Sequence, residues 1–241
     1  MDADAYFRLF EEKVKELGFY GAWEAVQPVR DPEYGPLLVK AVQFCSVPTK
    51  VDFKLAFRLL RSRTLGLYER VSSERIFGGL LSSCFVHRSM DHNFFVAQDA
   101  RKFFDRQLRQ TDAYAEANRI AAAFFHEKRL DLPKNSPGYA FTVKDLRCRE
   151  VFHRLVFDGE RAMRALRCLV KGMIRESTKS WQPTYGDIKT APSGALWYAL
   201  NVCQDRREFI PAKYQSYVDN FRDQFLAIGG EFAPITVGSI Q

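Results

Sequence analysis

Apolar residues recur at three- and four-residue spacing along almost the whole chain, from Phe7 to Phe225. This period constrains the fold more than any other feature, because it lays an apolar stripe along a helix that must be buried against a neighbour. Phe7, Phe10, Val14 and Leu17 form the first stripe, which Gly18 stops. Pro28, Pro32 and Pro36 punctuate the next stretch. Leu37 to Cys45 is a short apolar helix ended by Val47-Pro48, and Val51, Leu55, Ala56, Leu59 and Leu60 mark one face of its successor. Ser72 and Ser73 are N-cap residues for a helix carrying Ile76, Leu80, Cys84 and His87. Met90 to Asn93 reads as a turn. Phe94, Ala97, Arg101, Phe104 and Leu108 then stripe another helix, and a further one runs from about Asp112 to Lys128.

Leu132-Pro133-Lys134-Asn135-Ser136-Pro137-Gly138 is the strongest breaker in the chain. It divides an N-terminal helical-hairpin region, 1–132, from a C-terminal one, 139–230, with a tail over 231–241; one continuous domain is the alternative. Thr142-x-x-Asp145 reads as a capping box opening a helix that runs to about Phe157. Asp158 caps the next helix, which carries Ala162, Ala165, Leu166, Leu169, Val170 and Met173. Ser177 to Ser193 reads as a polar loop, and Ala195 to Cys203 is short and apolar. Pro211 suits the first helical position, Tyr214, Tyr217, Val218, Phe221 and Phe225 form a stripe, and Gly229-Gly230 ends it. The expected fold class is all-α, with about nine or ten helices.

The helices come in pairs. The pair from Pro36 to Arg63 and that from Phe77 to Phe104 align at an offset of about 41 residues, matching Phe44 with Phe85, Phe53 with Phe94 and Ala56 with Ala97. Thr142 to Arg175 has the same form. The expected architecture is therefore stacked antiparallel helical hairpins, α-solenoid-like, with an irregular helical bundle as the alternative.

Composition excludes several classes. With 46% hydrophobic and 27% charged residues the 241-residue chain lacks the low-hydrophobicity, high-charge signature of disorder. No uncharged apolar run approaches the ~18 residues of a membrane span. Cys45, Cys84, Cys148, Cys168 and Cys203 are odd in number and form no C-x-x-C pair, so neither a disulfide framework nor a structural zinc site is expected. They read as reduced, buried thiols of a reducing compartment. Met1-Asp2-Ala3-Asp4 has neither a signal core nor an Arg-rich transit character, so no recognisable presequence is expected. The 21 Phe residues, with adjacent pairs at 94–95, 103–104 and 124–125, read as core or subunit interface, with base stacking the lesser alternative.

No H-E-x-x-H, G-x-S-x-G, G-x-G-x-x-G or Walker A pattern is present. His126-Glu127 lacks the second His, and Cys84 with His87 has no supporting motif for nucleophilic catalysis. A non-enzyme without cofactor or metal is expected. The charge is more informative. The chain carries a formal net charge of +7, and Lys144 to Lys179 holds ten cations against five acids. Arg164, Arg167, Lys171 and Arg175 fall in one arc of a helix whose other side carries Ala162, Leu166, Leu169 and Met173. This stripe is the candidate partner- or anion-binding site. It can follow RNA phosphates, lie on anionic lipid headgroups, meet an acidic subunit, or simply be a solvated face.

Val42-x-Phe44-x-x-Val47-Pro48 followed by Ala56-x-Arg58-x-x-Arg61, with Ala22-Trp23-Glu24 upstream, resembles the tetratricopeptide-like peripheral subunit family of cytochrome c oxidase (subunit Va) over about residues 5–65. The family's second Pro after the turn is Lys50 here, and its Arg-Arg pair is Arg61-Ser62. The hairpins also resemble pentatricopeptide-type repeats. The first resemblance implies a non-catalytic accessory subunit of a mitochondrial respiratory-chain complex, held by protein–protein packing on the matrix side of the inner membrane. The second implies an organellar RNA-binding or ribosome-associated protein. A membrane-surface adaptor and a cytoplasmic location are further alternatives.

Overall fold

Most of the periodic segments form helices. The computed structural model describes residues 2–48, 50–62, 73–88, 93–180 and 206–227; the side chains of 3, 73, 141, 173–180 and 221–227 lie outside the description. Among the described residues are α1 (Ala3–Arg30), α2 (Gly35–Ser46), α3 (Phe53–Leu60), α4 (Ser73–Leu81), α5 (Gln98–Leu108), α6 (Asp112–Leu130), α7 (Tyr139–Arg154), α8 (Gly159–Ser180) and α9 (Ala212–Ala227). Three short strands, β1 (Val51–Asp52), β2 (Val86–Arg88) and β3 (Asn93–Val96), make a small antiparallel sheet in the order β1-β3-β2. The fold is all-α in class, and among the described residues this sheet is the only departure from helix, turn and loop. Its contacts divide into two units, 1–120 and 121–241, the division falling inside α6.

In the first unit, α1 breaks at Gly18 (φ 72°, ψ 174°), backbone that only glycine adopts readily. The break reverses the chain. Residues 6 and 30 of a straight helix would lie ~36 Å apart, yet the Arg30 guanidinium sits 5.3 Å from the Tyr6 ring centroid. α2 is the central element, packed against α1, α3, α4, α5 and β3. Leu37, Leu38, Val39, Ala41, Val42, Phe44 and Cys45 are buried around it, which is why this helix reads as apolar nearly all round. Trp23 of α1, Phe85 before β2 and Phe104 of α5 meet as an aromatic triad, with centroids 4.8, 5.5 and 5.8 Å apart. Leu55, Ala56, Leu59 and Leu60 are buried, the stripe foreseen for α3, while Val51, expected on the same helix, is buried on β1. Each fully buried aliphatic side chain contributes roughly 1.5–3 kcal/mol.

The segment 82–97 departs from the expected helices. α4 stops at Leu81, so Cys84 and His87 lie beyond it, and Phe94 is on β3 rather than on the helix with Phe104. Gly78-Gly79 weakens the helix end, and the Ser82 and Ser83 hydroxyls donate to the carbonyls of Gly78 and Gly79. The β-branched and aromatic residues that follow suit a pleated, half-buried surface. Val86 faces Val96 and His87 faces Phe95 across the pair. Phe94 and Val96 enter the core while Phe95 stays partly exposed. The matches Phe44–Phe85, Phe53–Phe94 and Ala56–Ala97 therefore join unlike local structures, and the repeat does not extend through 77–104. Of the turn expected over 90–93, Asn93 instead opens β3, and 90–92 lie outside the described residues.

In the second unit α7 and α8, joined by residues 155–158, pack on each other. Cys148, Val151, Phe152, Leu155, Ala162, Met163, Leu166, Leu169, Val170, Ile210 and Val218 form its core. Asp158 caps α8, its carboxylate accepting from the Arg161 amide at 3.2 Å. Thr142 is not a cap. α7 begins at Tyr139, and the Thr142 hydroxyl donates to the Gly138 carbonyl inside the first turns. Asp145 instead pairs with Arg149 at 2.9 Å. α8 runs on through Ser180, so Ser177 to Ser180 is helix rather than loop. The readings at 181–203 and 229–240 fall outside the described residues.

Candidate partner-binding face

α8 separates its two faces cleanly. At 100° per residue, Arg164, Arg167 and Lys171 occupy an arc of about 60°, away from Ala162, Met163, Leu166, Leu169 and Val170. The second set is buried and the first exposed. Arg175 continues the arc on the same helix, with its side chain outside the described residues.

α9 organises the edge of this face. Lys213 pairs with Glu160 at 2.7 Å, and the Tyr214 hydroxyl donates to the other Glu160 oxygen at 3.2 Å. The Lys213 contact, aided by Tyr214, holds the Glu160 carboxyl below its usual range and raises the Lys213 ammonium. Glu160, four residues before Arg164, is thus held by α9, and the Arg164 charge adds to lowering it. The Arg167 guanidinium lies 5.2 Å from the Tyr217 ring centroid, a placement that orients it without neutralising it. Among the described residues, neither Arg164, Arg167 nor Lys171 enters an ion pair.

Within α7, Arg149 meets Asp145 and Arg154 meets Glu150 at 2.8 Å. Glu150 is the centre of a cluster not foreseen from sequence. His126 Nδ1 lies 3.0 Å from one carboxylate oxygen and Arg129 3.5 Å from the other. Burial alone would raise the Glu150 pKa; the hydrogen bonds and charges of His126 and Arg154 overcome it and hold the group below its usual value. The i,i+4 spacing of Glu150 and Arg154 was readable in the sequence, whereas the approach of His126 from α6 was not.

The cysteines divide. Cys45 and Cys148 are buried thiols, pushed by burial up to about 12. Cys84 and Cys168 are exposed, correcting the expectation of uniformly buried thiols. The Cys84 thiol is also pushed up, chiefly by partial burial, the opposite of what an activated nucleophile requires. Cys203 lies outside the described residues. Among the described residues no group of three or more His, Cys, Asp or Glu is placed to hold a metal, and no helix is long and apolar enough to cross a membrane.

Comparison with protein-family models, with curated proteins and with solved structures returns no match. The motif residues shared with the oxidase subunit family fall into two sets. Ala22, Trp23, Val42, Phe44, Val47 and Ala56 are buried, and Val47-Pro48 stands between α2 and α3. Arg58 and Arg61 are exposed.

Proposed function

We propose that this chain is a non-catalytic accessory subunit that acts by packing, with the cationic face of α8 meeting an anionic surface of its neighbour. The observation that carries the reading is the three-cation arc of Arg164, Arg167 and Lys171, exposed on a helix whose reverse side is core. Arginine at two of these three positions, one of them held over the Tyr217 ring, suits carboxylate or phosphate recognition better than solubility alone would require. From the motif resemblance, the proposed host is a mitochondrial respiratory-chain complex and the proposed place the matrix side of the inner membrane.

Affinity purification after mild detergent extraction, followed by native electrophoresis and mass spectrometry, tests this. The chain should co-migrate with a large membrane complex and leave it when Arg164 and Lys171 are both changed to Glu. Migration as a free monomer in its own cells would remove the proposal. Salt-sensitive RNA retention lost through the same changes would instead support the organellar RNA-binding reading.

A further inference from the structure

α3 carries a second surface, in the first unit and independent of the α8 face. At 100° per residue Phe53, Phe57, Arg61, Lys54 and Arg58 follow one another round an arc of about 140°. The opposite arc, Leu55, Ala56, Leu59 and Leu60, is buried. Phe53 remains 50% exposed, an open ring among cations.

The rings are held by one another. Phe53 lies 5.0 Å from Phe57 and meets Phe77 of α4 edge-on at 4.9 Å. Phe77 in turn rests on Phe94 at 5.8 Å, and Phe94 is core. The exposed ring therefore tops a stack rooted in β3, so little side-chain freedom is lost when something lands on it. The Arg61 guanidinium sits 4.4 Å from the Phe57 ring centroid, putting a phosphate-binding group beside a stacking group. Between Lys50 and Arg61 there are four cations and one acid, Asp52, and the Asp52 carboxylate caps α3 by accepting from the Leu55 amide at 2.8 Å. α1 also exposes apolar side chains, Phe7, Leu17, Phe19 and Val29, but its charges alternate in sign through Glu11, Glu12, Lys13, Lys15 and Glu16 and favour no partner.

We propose that the outer face of α3, with Phe77, binds single-stranded nucleic acid: bases stack on Phe53 and Phe57 while the backbone follows Lys54, Arg58 and Arg61. An exposed ring, with the half-buried Phe57 beside it and cations around it, is what a strand with unpaired bases can use and a duplex cannot. An acidic protein surface would use the cations and leave Phe53 without a planar counterpart.

Fluorescence anisotropy of labelled oligouridine and oligothymidine, about twenty nucleotides each, with the full chain tests the proposal. Either strand should bind at low salt, and the two arms decide between RNA and DNA. Phe53→Ala should weaken binding about tenfold, in the range of one lost base–aromatic stack. Phe53→Tyr, which keeps the ring, should bind as the parent does. Lys54→Gln with Arg61→Gln should lower the log–log salt slope by roughly 1.4, two contacts at about 0.7 each. Unchanged circular dichroism would certify that each variant is folded. Absence of binding to both strands overturns the proposal. So does binding indifferent to Phe53→Ala, or equal displacement by poly-glutamate, which would mark generic anion capture. A loss produced by Arg164→Glu with Lys171→Glu and not by the α3 changes would assign the binding to α8 and overturn it as well.

Discussion

Gly18 decides the course of the first thirty residues. Its φ of 72° with ψ of 174° lies where a Cβ is strained, although nothing stands within 4 Å of that position. The cost of substitution is therefore conformational, not a clash. Gly18→Ala should lower the stability of the first unit by about 1–3 kcal/mol, read as a shifted urea midpoint. Gly79 is limited for the opposite reason, since a Cβ there would overlap the Tyr34 hydroxyl, which donates to the Arg75 carbonyl. Glu150 sets a pH dependence. Its pKa is lowered in the folded protein, so its stabilising contribution is complete above the unfolded value of about 4.3 and is lost as the pH falls through the lower folded value. Acid unfolding followed by far-ultraviolet circular dichroism should show this loss below about pH 4.3. Glu150→Gln should flatten that part of the curve while lowering stability at neutral pH, where Arg129 and Arg154 lose their counter-charge.

At the scale of elements, two similar capping signals had different outcomes. Asp158 precedes α8 by one residue and accepts from Arg161, as its position implied. Asp158→Ala should cost about 1 kcal/mol, measured by chemical denaturation. Thr142 carries the same sequence signal but sits inside α7, whose N-cap is Gly138 with no side-chain hydrogen bond. A capping motif is satisfied equally by a hydroxyl bonding back into its own helix, and spacing alone does not separate the two. β2 and β3 were hidden for a different reason. Phe94, Ala97, Arg101, Phe104 and Leu108 do fit a helical period, yet Phe94 and Val96 also fit the alternation of a strand. Pairing with Val86 and with Val51 decides between them.

Across the whole molecule, the charge is distributed by pairing rather than by composition. α7 pairs Arg149 and Arg154 with its own acids, while α8 carries Arg164, Arg167 and Lys171 on its exposed side. Arg164→Glu with Lys171→Glu should leave thermal stability within about 0.5 kcal/mol, as surface substitutions do, and should elute from a cation-exchange column at clearly lower salt. Unaltered elution would mean that the α8 face is covered in the free chain. The all-α class, the break at Gly18, the buried stripe of α3 and the two faces of α8 were determined by the sequence by itself. The stripes depend on residues three or four apart, which a helix places side by side whatever the rest of the chain does, and the break depends on the backbone freedom of one glycine. The strands at 86–96, the gathering of four helices on α2, the approach of His126 to Glu150 and the stack from Phe94 out to Phe53 were decided only by the tertiary structure. These join residues far apart in the chain, and their energy exists only after the intervening segments have been brought together.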